Sequence, residues 1–188
     1  MTGLNPELDC LVEVAVVITN SNLEILDPGF EVVIKPRAES WANMNDFVRN
    51  MHTQSGLIND VENGVDLAEA ENQILDYIKQ FVPNAKEAPL AGNTIGTDRM
   101  FLNKYMPTLD QHLHYRNIDV SSIKELSRRW YPRVYFQLPK KEGGHRALAD
   151  ILESIQELRY YRETVMVPIP GPSTDEAKAA AENIKANL

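Results

Sequence analysis

Three stretches of the sequence carry residue types suited to hydrolytic chemistry. In "GGHRALADILESI", His145 and Asp150 stand five positions apart, about 140° around a helical wheel, and cannot share a helical face. They converge only if His145 lies ahead of the helix, in a loop that Gly143 and Gly144 make flexible. An imidazole there, beside a helix-borne carboxylate, suits a general base next to a metal ligand. On spacing alone, the simpler account is a surface histidine and a solvated aspartate. In "LAGNTIGTDRMFL", a strand runs into Gly92 and Asn93, and Asp98 opens a helix. Open α/β sheets place their sites at such strand-to-helix corners. An aspartate favoured by the helix dipole is the ordinary explanation. In "HYRNIDVSSIKEL", Arg116 precedes Ser121 and Ser122 at a helix start. A guanidinium, hydroxyls and backbone N–H groups together suit a phosphate, although helix capping and a surface arginine would look the same. The pair His112 and His114 has no cysteine or second histidine pair to complete a metal site. Acidic ligands, a histidine base and a phosphate grip are the equipment of metal-assisted phosphodiester hydrolysis. A close pair of carboxylates on one strand, which would complete it, does not occur in the sequence.

The elements that must position these groups are legible in outline. "CLVEVAVVITN" and "LEILDPGFEVVIKP" are extended stretches around the turn "NSN", a β-hairpin. Glu13 is the polar exception in the first strand and reads as structural rather than catalytic. "SWANMNDFVRNMHTQSG" reads as a helix followed by a loop. "VDLAEAENQILDYIKQFVP" reads as a helix with a capping-box-like start at Asp66 and Glu69, a buried stripe of Leu67, Ala70, Ile74, Ile78 and Phe81, and Pro83 after its end. "APLAGN" is a short apolar run expected as a buried strand. "TDRMFLNKYMP" is a helix stopped by Pro107, and "NIDVSSIKELSRRWYP" is a strand running into a helix capped by Ser122 and Glu125. The last long helix follows His145, with Leu148, Ile151, Leu152, Ile155 and Leu158 as its core stripe and Asp150, Ser154, Glu157 and Tyr161 on one flank. Strands alternating with helices after a hairpin predict an α/β domain with a mixed sheet. It is expected over residues 1–163, with a Pro- and Ala-rich tail over 164–188 that is solvated or only marginally helical.

Composition sets outer limits. The 188 residues carry a net charge of −8, which argues against wrapping long nucleic acid but not against a small anion held beside bound cations. No run approaches the roughly 20 apolar residues that span a bilayer, so no membrane association is expected. The single cysteine, Cys10, allows no internal disulfide and reads as a buried thiol in a reducing compartment.

The stretches "MTGLNPELD", "PLAGNTIGTDRMFLNKYMP", "YRNIDVSSIKELSRRWYP" and "HRALADILESIQELRYYRE" closely resemble the oligoribonuclease family. These are small exonucleases of the DEDD superfamily that degrade very short RNAs from the 3′ end. The resemblance covers residues 1 to about 163, and the Pro-rich tail is similar to that of fungal members. It implies a ribonuclease H-like mixed sheet flanked by helices, a homodimer, two Mg²⁺ or Mn²⁺ ions held by four acidic residues, and a histidine base. By position, Asp98 is the third acid, acting mainly through bound water, and Asp150 the fourth, ligating metal directly. His145 is the base that deprotonates the attacking water. Leu4 is the implied wedge between the two bases of a dinucleotide, and Phe47 stands where the family usually stacks a tryptophan on a base. His52, Thr94, Arg116 and Ser121 match substrate-contacting positions. Arg116 and Ser121 would cap the 5′ phosphate and favour dinucleotides, and Tyr115 would reach into the partner's site.

In the family, "MTGL" follows a strand ending Asp-Leu-Glu, which supplies the first two acids. This sequence starts at the methionine. The expectation is therefore an N-terminally truncated chain, or one begun at an internal methionine, without the first central strand. As written it would be inactive, and any targeting segment would lie upstream. Localisation is expected to be intracellular, cytoplasmic or mitochondrial. Two other readings stand beside the exoribonuclease. One is a non-catalytic dimerisation or nucleotide-binding module. The other is a related exonuclease acting on DNA or longer RNA.

Overall fold

Alternating β-branched residues build the hairpin. β1 (Glu13–Val16) pairs antiparallel with β2 (Phe30–Val33), Glu13 opposite Val33 and Val16 opposite Phe30. At the turn, the Asn20 side-chain oxygen accepts hydrogen bonds from the amides of Asn22 and Glu24. The structure, a computed structural model, describes residues 1–140 and 145–187. The expected Gly143–Gly144 loop lies outside the described residues.

After the hairpin the chain forms three short helices where one was expected: α1 (Ala38–Ala42), α2 (Asp46–Gln54) and α3 (Leu57–Asp60). The reason is local. Asn45 caps a fresh start by accepting from the Val48 amide at 2.9 Å, and Gly56, at φ 77°, turns the chain into α3. A 3₁₀ turn over Val61–Asn63 leads to α4 (Leu67–Phe81). Its predicted stripe holds: Ala70, Ile74 and Ile78 are buried, with Leu67 and Phe81 packed at the margin. Its capping box does not form, because the Asp66 side chain makes no cap bond.

β3 (Pro89–Gly92) leads through α5 (Ile95–Tyr105) and α6 (Pro107–His112) to β4 (His114–Asp119), which lies parallel to β3. Pro107 does more than stop α5; it is the first residue of α6, where its missing N–H costs nothing. β3 alternates exposed and half-buried residues and is not the buried strand predicted. Asp119, not Ser122, caps α7 (Val120–Trp130), so the Ser122–Glu125 box is replaced by ion pairs from Glu125 to Arg128 and Arg129. α8 (Pro132–Phe136), α9 (Ala147–Thr164) and α10 (Thr174–Ala186) complete the order. The tail is helical over α10, started by a capping box between Ser173 and Glu176.

The mixed α/β class is as predicted. Among the described residues the strands form two two-stranded sheets, β1–β2 and β3–β4. The principal core lies between the hairpin and the helices, where Ile34, Ile74, Phe101, Met106 and Leu109 are almost fully buried. α9 packs on β1, β2 and β3 and so ties the sheets together. Its apolar stripe is only half-buried; its fully buried residues are Glu157 and Tyr161 on the flank read as polar. The Glu157 carboxylate can be buried there because Lys124, Asn93 and Tyr161 all reach it.

Candidate functional site

The residues read as a phosphate grip are the best-connected part of the candidate site. Thr94, at φ 55°, bends the chain from β3 into α5 and turns its amide toward α7. That amide donates to Asp119 Oδ1 at 3.0 Å and to Ser121 Oγ at 2.9 Å, and the two hydroxyls of Thr94 and Ser121 stand 3.2 Å apart. Two of the predicted substrate contacts, far apart in sequence, are thereby brought together at the start of an eleven-residue helix. Arg116 and Tyr115 are exposed and lie at an irregularity in the parallel ladder. Pro89 pairs with His114 but Leu90 pairs with Asn117, so Tyr115 and Arg116 bulge out of register. The bulge is held by the Arg116 amide donating to His114 Nδ1 at 3.1 Å. The Arg116 guanidinium lies over the Tyr115 ring, which stacks on His114.

The opening turn projects Leu4 into solvent, 75% exposed. Asp9 builds that turn by accepting from the Thr2 hydroxyl at 3.0 Å and the Asn5 amide at 2.9 Å. Gly3 is required because a Cβ there would come within 2.4 Å of the Asp9 carboxylate. An open cleft of about 660 Å³ runs between this turn and Asn43 and Asn45 at the entry to α2. Phe47, in the first turn of α2, is 79% exposed. The cleft borders Leu4 but not Asp98 or Asp150. His52 is placed differently from an open substrate contact. It is buried, its Nε2 stands 2.9 Å from the Met1 carbonyl oxygen, and its Nδ1 is buried without a hydrogen-bond partner. Burial holds its pKa below the usual histidine value, so the ring is neutral at pH 7.

Asp98 lies in the first turn of α5, half-buried, and desolvation pushes its carboxyl above the ordinary aspartate range. Asp150 occupies the first turn of α9 and is exposed. His145 is exposed in a left-handed conformation at φ 49°, ahead of α9, the placement that convergence with Asp150 would need. Carboxylate oxygens are the donors that hard divalent cations take, so Asp98 and Asp150 fit Mg²⁺ or Mn²⁺ in kind. Among the described residues, no three metal-ligating side chains gather at one place. His112 is no metal ligand: it is buried, with Nε2 at 2.9 Å from the Val82 carbonyl oxygen.

Sequence reasoning missed the residues that hold these groups in place. Asn93 receives the Ser121 hydroxyl on Oδ1 at 3.0 Å and donates through Nδ2 to Ser154 Oγ at 2.9 Å. Arg146, next to His145, pairs with Glu13 at 2.7 Å and Asp60 at 3.0 Å, and Glu13 also accepts the Ala147 amide at 2.9 Å. The lone carboxylate in an apolar strand was the available signal for this second cluster. Nothing local marked Asn93.

A sequence profile described as exonuclease matches residues 1–158. The oligoribonuclease of Leifsonia xyli is 65% identical over 184 residues, covering 98% of this chain and 89% of that protein. The oligoribonucleases of Cutibacterium acnes and Streptomyces coelicolor are 58% and 55% identical, over 93% and 96% of this chain and 86% and 90% of theirs. The likeness of the tail to fungal members gains no support from these bacterial matches, the first of which extends into the tail.

Proposed function

The chain belongs to the exonuclease family, in its oligoribonuclease group, and on that premise we propose that it is a 3′-to-5′ exoribonuclease that converts very short RNAs, dinucleotides above all, to mononucleotides. The observation that carries the substrate class is the grip of Thr94 and Ser121 beside the bulge that presents Arg116. The hydroxyls and the guanidinium suit a terminal 5′ phosphate, the Thr94 amide being bonded already to Asp119 and Ser121, and a chain extended beyond it would collide with the grip. Leu4 and Phe47 are the exposed apolar groups against which bases would wedge and stack.

Asp98 and Asp150 would hold divalent ions, Mg²⁺ or Mn²⁺; the Asp-Leu-Glu pair that the family adds to complete a two-ion set does not occur in these 188 residues, and the chain as written is expected to lack appreciable turnover. Such ions, when bound, supply activation of water and neutralisation of phosphate charge. His145 accepts the proton of the attacking water, a role its exposed position ahead of α9 supports. The enzyme acts as a homodimer inside the cell, in the cytoplasm or in mitochondria. Tyr115, 73% exposed, reaches toward the partner's site, and the buried free thiol of Cys10 is in keeping with a reducing compartment.

A second reading, a non-catalytic dimerisation or nucleotide-binding module, is favoured by the absence of three gathered metal ligands among the described residues. The experiment is hydrolysis, with Mn²⁺, of 5′-phosphorylated RNA dinucleotide, tetranucleotide and longer RNA, and of a DNA dinucleotide. With the family's Asp-Leu-Glu strand supplied ahead of Met1, fastest conversion of the RNA dinucleotide is expected in that protein, whereas the 188 residues alone should bind it with little turnover. Dinucleotide binding without turnover in the extended protein would replace the enzyme by the non-catalytic module. Equal consumption of DNA or of long RNA would overturn the substrate class.

A further inference from the structure

The grip and the helix that carries Asp150 are joined by one continuous line of side-chain hydrogen bonds, and Asn93 is its centre. Toward the grip, Asn93 Oδ1 accepts from Ser121 Oγ at 3.0 Å, and Ser121 Oγ accepts from the Thr94 amide at 2.9 Å. Toward α9, Asn93 Nδ2 donates to Ser154 Oγ at 2.9 Å and to Glu157 Oε2 at 3.3 Å. Ser154 Oγ in turn donates to the backbone carbonyl of Asp150 at 2.8 Å. Glu157 is anchored independently by Lys124 Nζ at 3.3 Å and by the Tyr161 hydroxyl at 3.3 Å. An amide side chain accepts on its oxygen and donates from its nitrogen at the same time. Valine, serine or aspartate could not span both partners with the correct polarity.

We infer that Asn93 is a positioning residue that sets the distance between the 5′-phosphate grip and the Asp150 helix, and so determines the length of RNA accepted. This rests on the exoribonuclease reading above. A grip that favours short substrates can do so only if its spacing from the hydrolytic groups is fixed. Thr94 lies at a chain bend and Ser121 in the first turn of a helix, and the described contacts of Ser121 to α9 run through Asn93. Removing the amide loosens the tie between Ser121 and α9, leaving the Lys124–Glu157 ion pair between α7 and α9, without removing a group that touches substrate.

The test compares the protein with Asn93→Ala and with Ser154→Ala, which removes the shorter of the two bonds from Asn93 to α9, keeps the one to Glu157, and places a better helix former in α9. For each, kcat/KM is measured on 5′-phosphorylated RNA dinucleotide and tetranucleotide, and the affinity ratio for the same two RNAs is measured by fluorescence anisotropy without divalent cation. Both variants are expected to lower the dinucleotide-to-tetranucleotide ratio by about tenfold, the worth of roughly one or two hydrogen bonds. A merely structural role would reduce both substrates alike. Unchanged ratios in both variants, with the parent still preferring dinucleotide, would overturn the role of Asn93 alone. A parent without length preference would overturn the exoribonuclease reading and this inference with it.

Discussion

Glu13→Ala tests the cluster that seats the start of α9. The Glu13 side chain is 5% exposed and makes two bonds: Oε1 with Arg146 Nε at 2.7 Å and Oε2 with the Ala147 amide at 2.9 Å. The second satisfies an amide of the first turn of α9 that has no partner within the helix. Removing one member of a fully buried ion pair costs roughly 3–5 kcal/mol, because the other charge is left uncompensated. Arg146 is 28% exposed and would keep Asp60 at 3.0 Å and Glu31 at 3.6 Å, so the lower end applies. The expected loss is about 3 kcal/mol, in line with two charge-assisted bonds of roughly 1.5–3 kcal/mol each, less the residual pairing. With a urea slope of about 2 kcal/mol per molar, the midpoint should fall by about 1.5 M with little change in slope. Glu13→Gln keeps an acceptor for Ala147 and should lose about half as much. Glu125→Ala is the control: that carboxylate is 46% exposed and pairs with two exposed arginines, so its loss should leave the midpoint nearly unchanged. Urea titrations followed by far-UV circular dichroism measure all three. A Glu13→Ala midpoint no lower than that of Glu125→Ala would refute the view that β1 holds α9 through this carboxylate.

Other outcomes follow from the same contacts. Phe47→Ala should leave stability unchanged, since the ring is 79% exposed, and weaken dinucleotide binding by about 1–3 kcal/mol, read by calorimetric titration; unaltered affinity would remove Phe47 from the site. Gly3→Ala forces the Asp9 carboxylate away from Thr2 and Asn5 and should cost about 1–2 kcal/mol in thermal or urea unfolding, together with a loss of dinucleotide affinity. His52 has a folded pKa lowered by burial, so its contribution to stability is present above its unfolded pKa of about 6.5 and is lost as pH falls below that value. His52→Gln should therefore flatten the decline of the urea midpoint between pH 7 and pH 5; an equally steep decline would show that His52 does not titrate on unfolding.

Much of the architecture was written in short-range patterns. The hairpin follows from β-branched alternation on either side of a polar turn, and the core face of α4 from residues three and four apart. Helical geometry gave only a condition, that His145 must lie ahead of α9 if it is to meet Asp150, since residues five apart do not share a helical face. The family was legible for a different reason: several long motifs in the correct order are carried by the chain itself. Tertiary structure decided which polar residues are structural. Glu13 meets Arg146 across 133 positions, and Asn93 meets Ser154 across 61, with no local pattern to announce either pair. The buried face of α9 was likewise misread from its leucines and isoleucines. Periodicity records which side chains prefer to leave water, whereas Glu157 is buried by its partners on other elements. The bulge at Tyr115 and Arg116 is a property of register between β3 and β4, and register exists only when both strands are in place. Local propensity and spacing thus settled the elements and the candidate chemistry of this protein. The distances that make Thr94, Asn93, Ser121 and Ser154 one connected unit arise only when β3, α7 and α9 pack together.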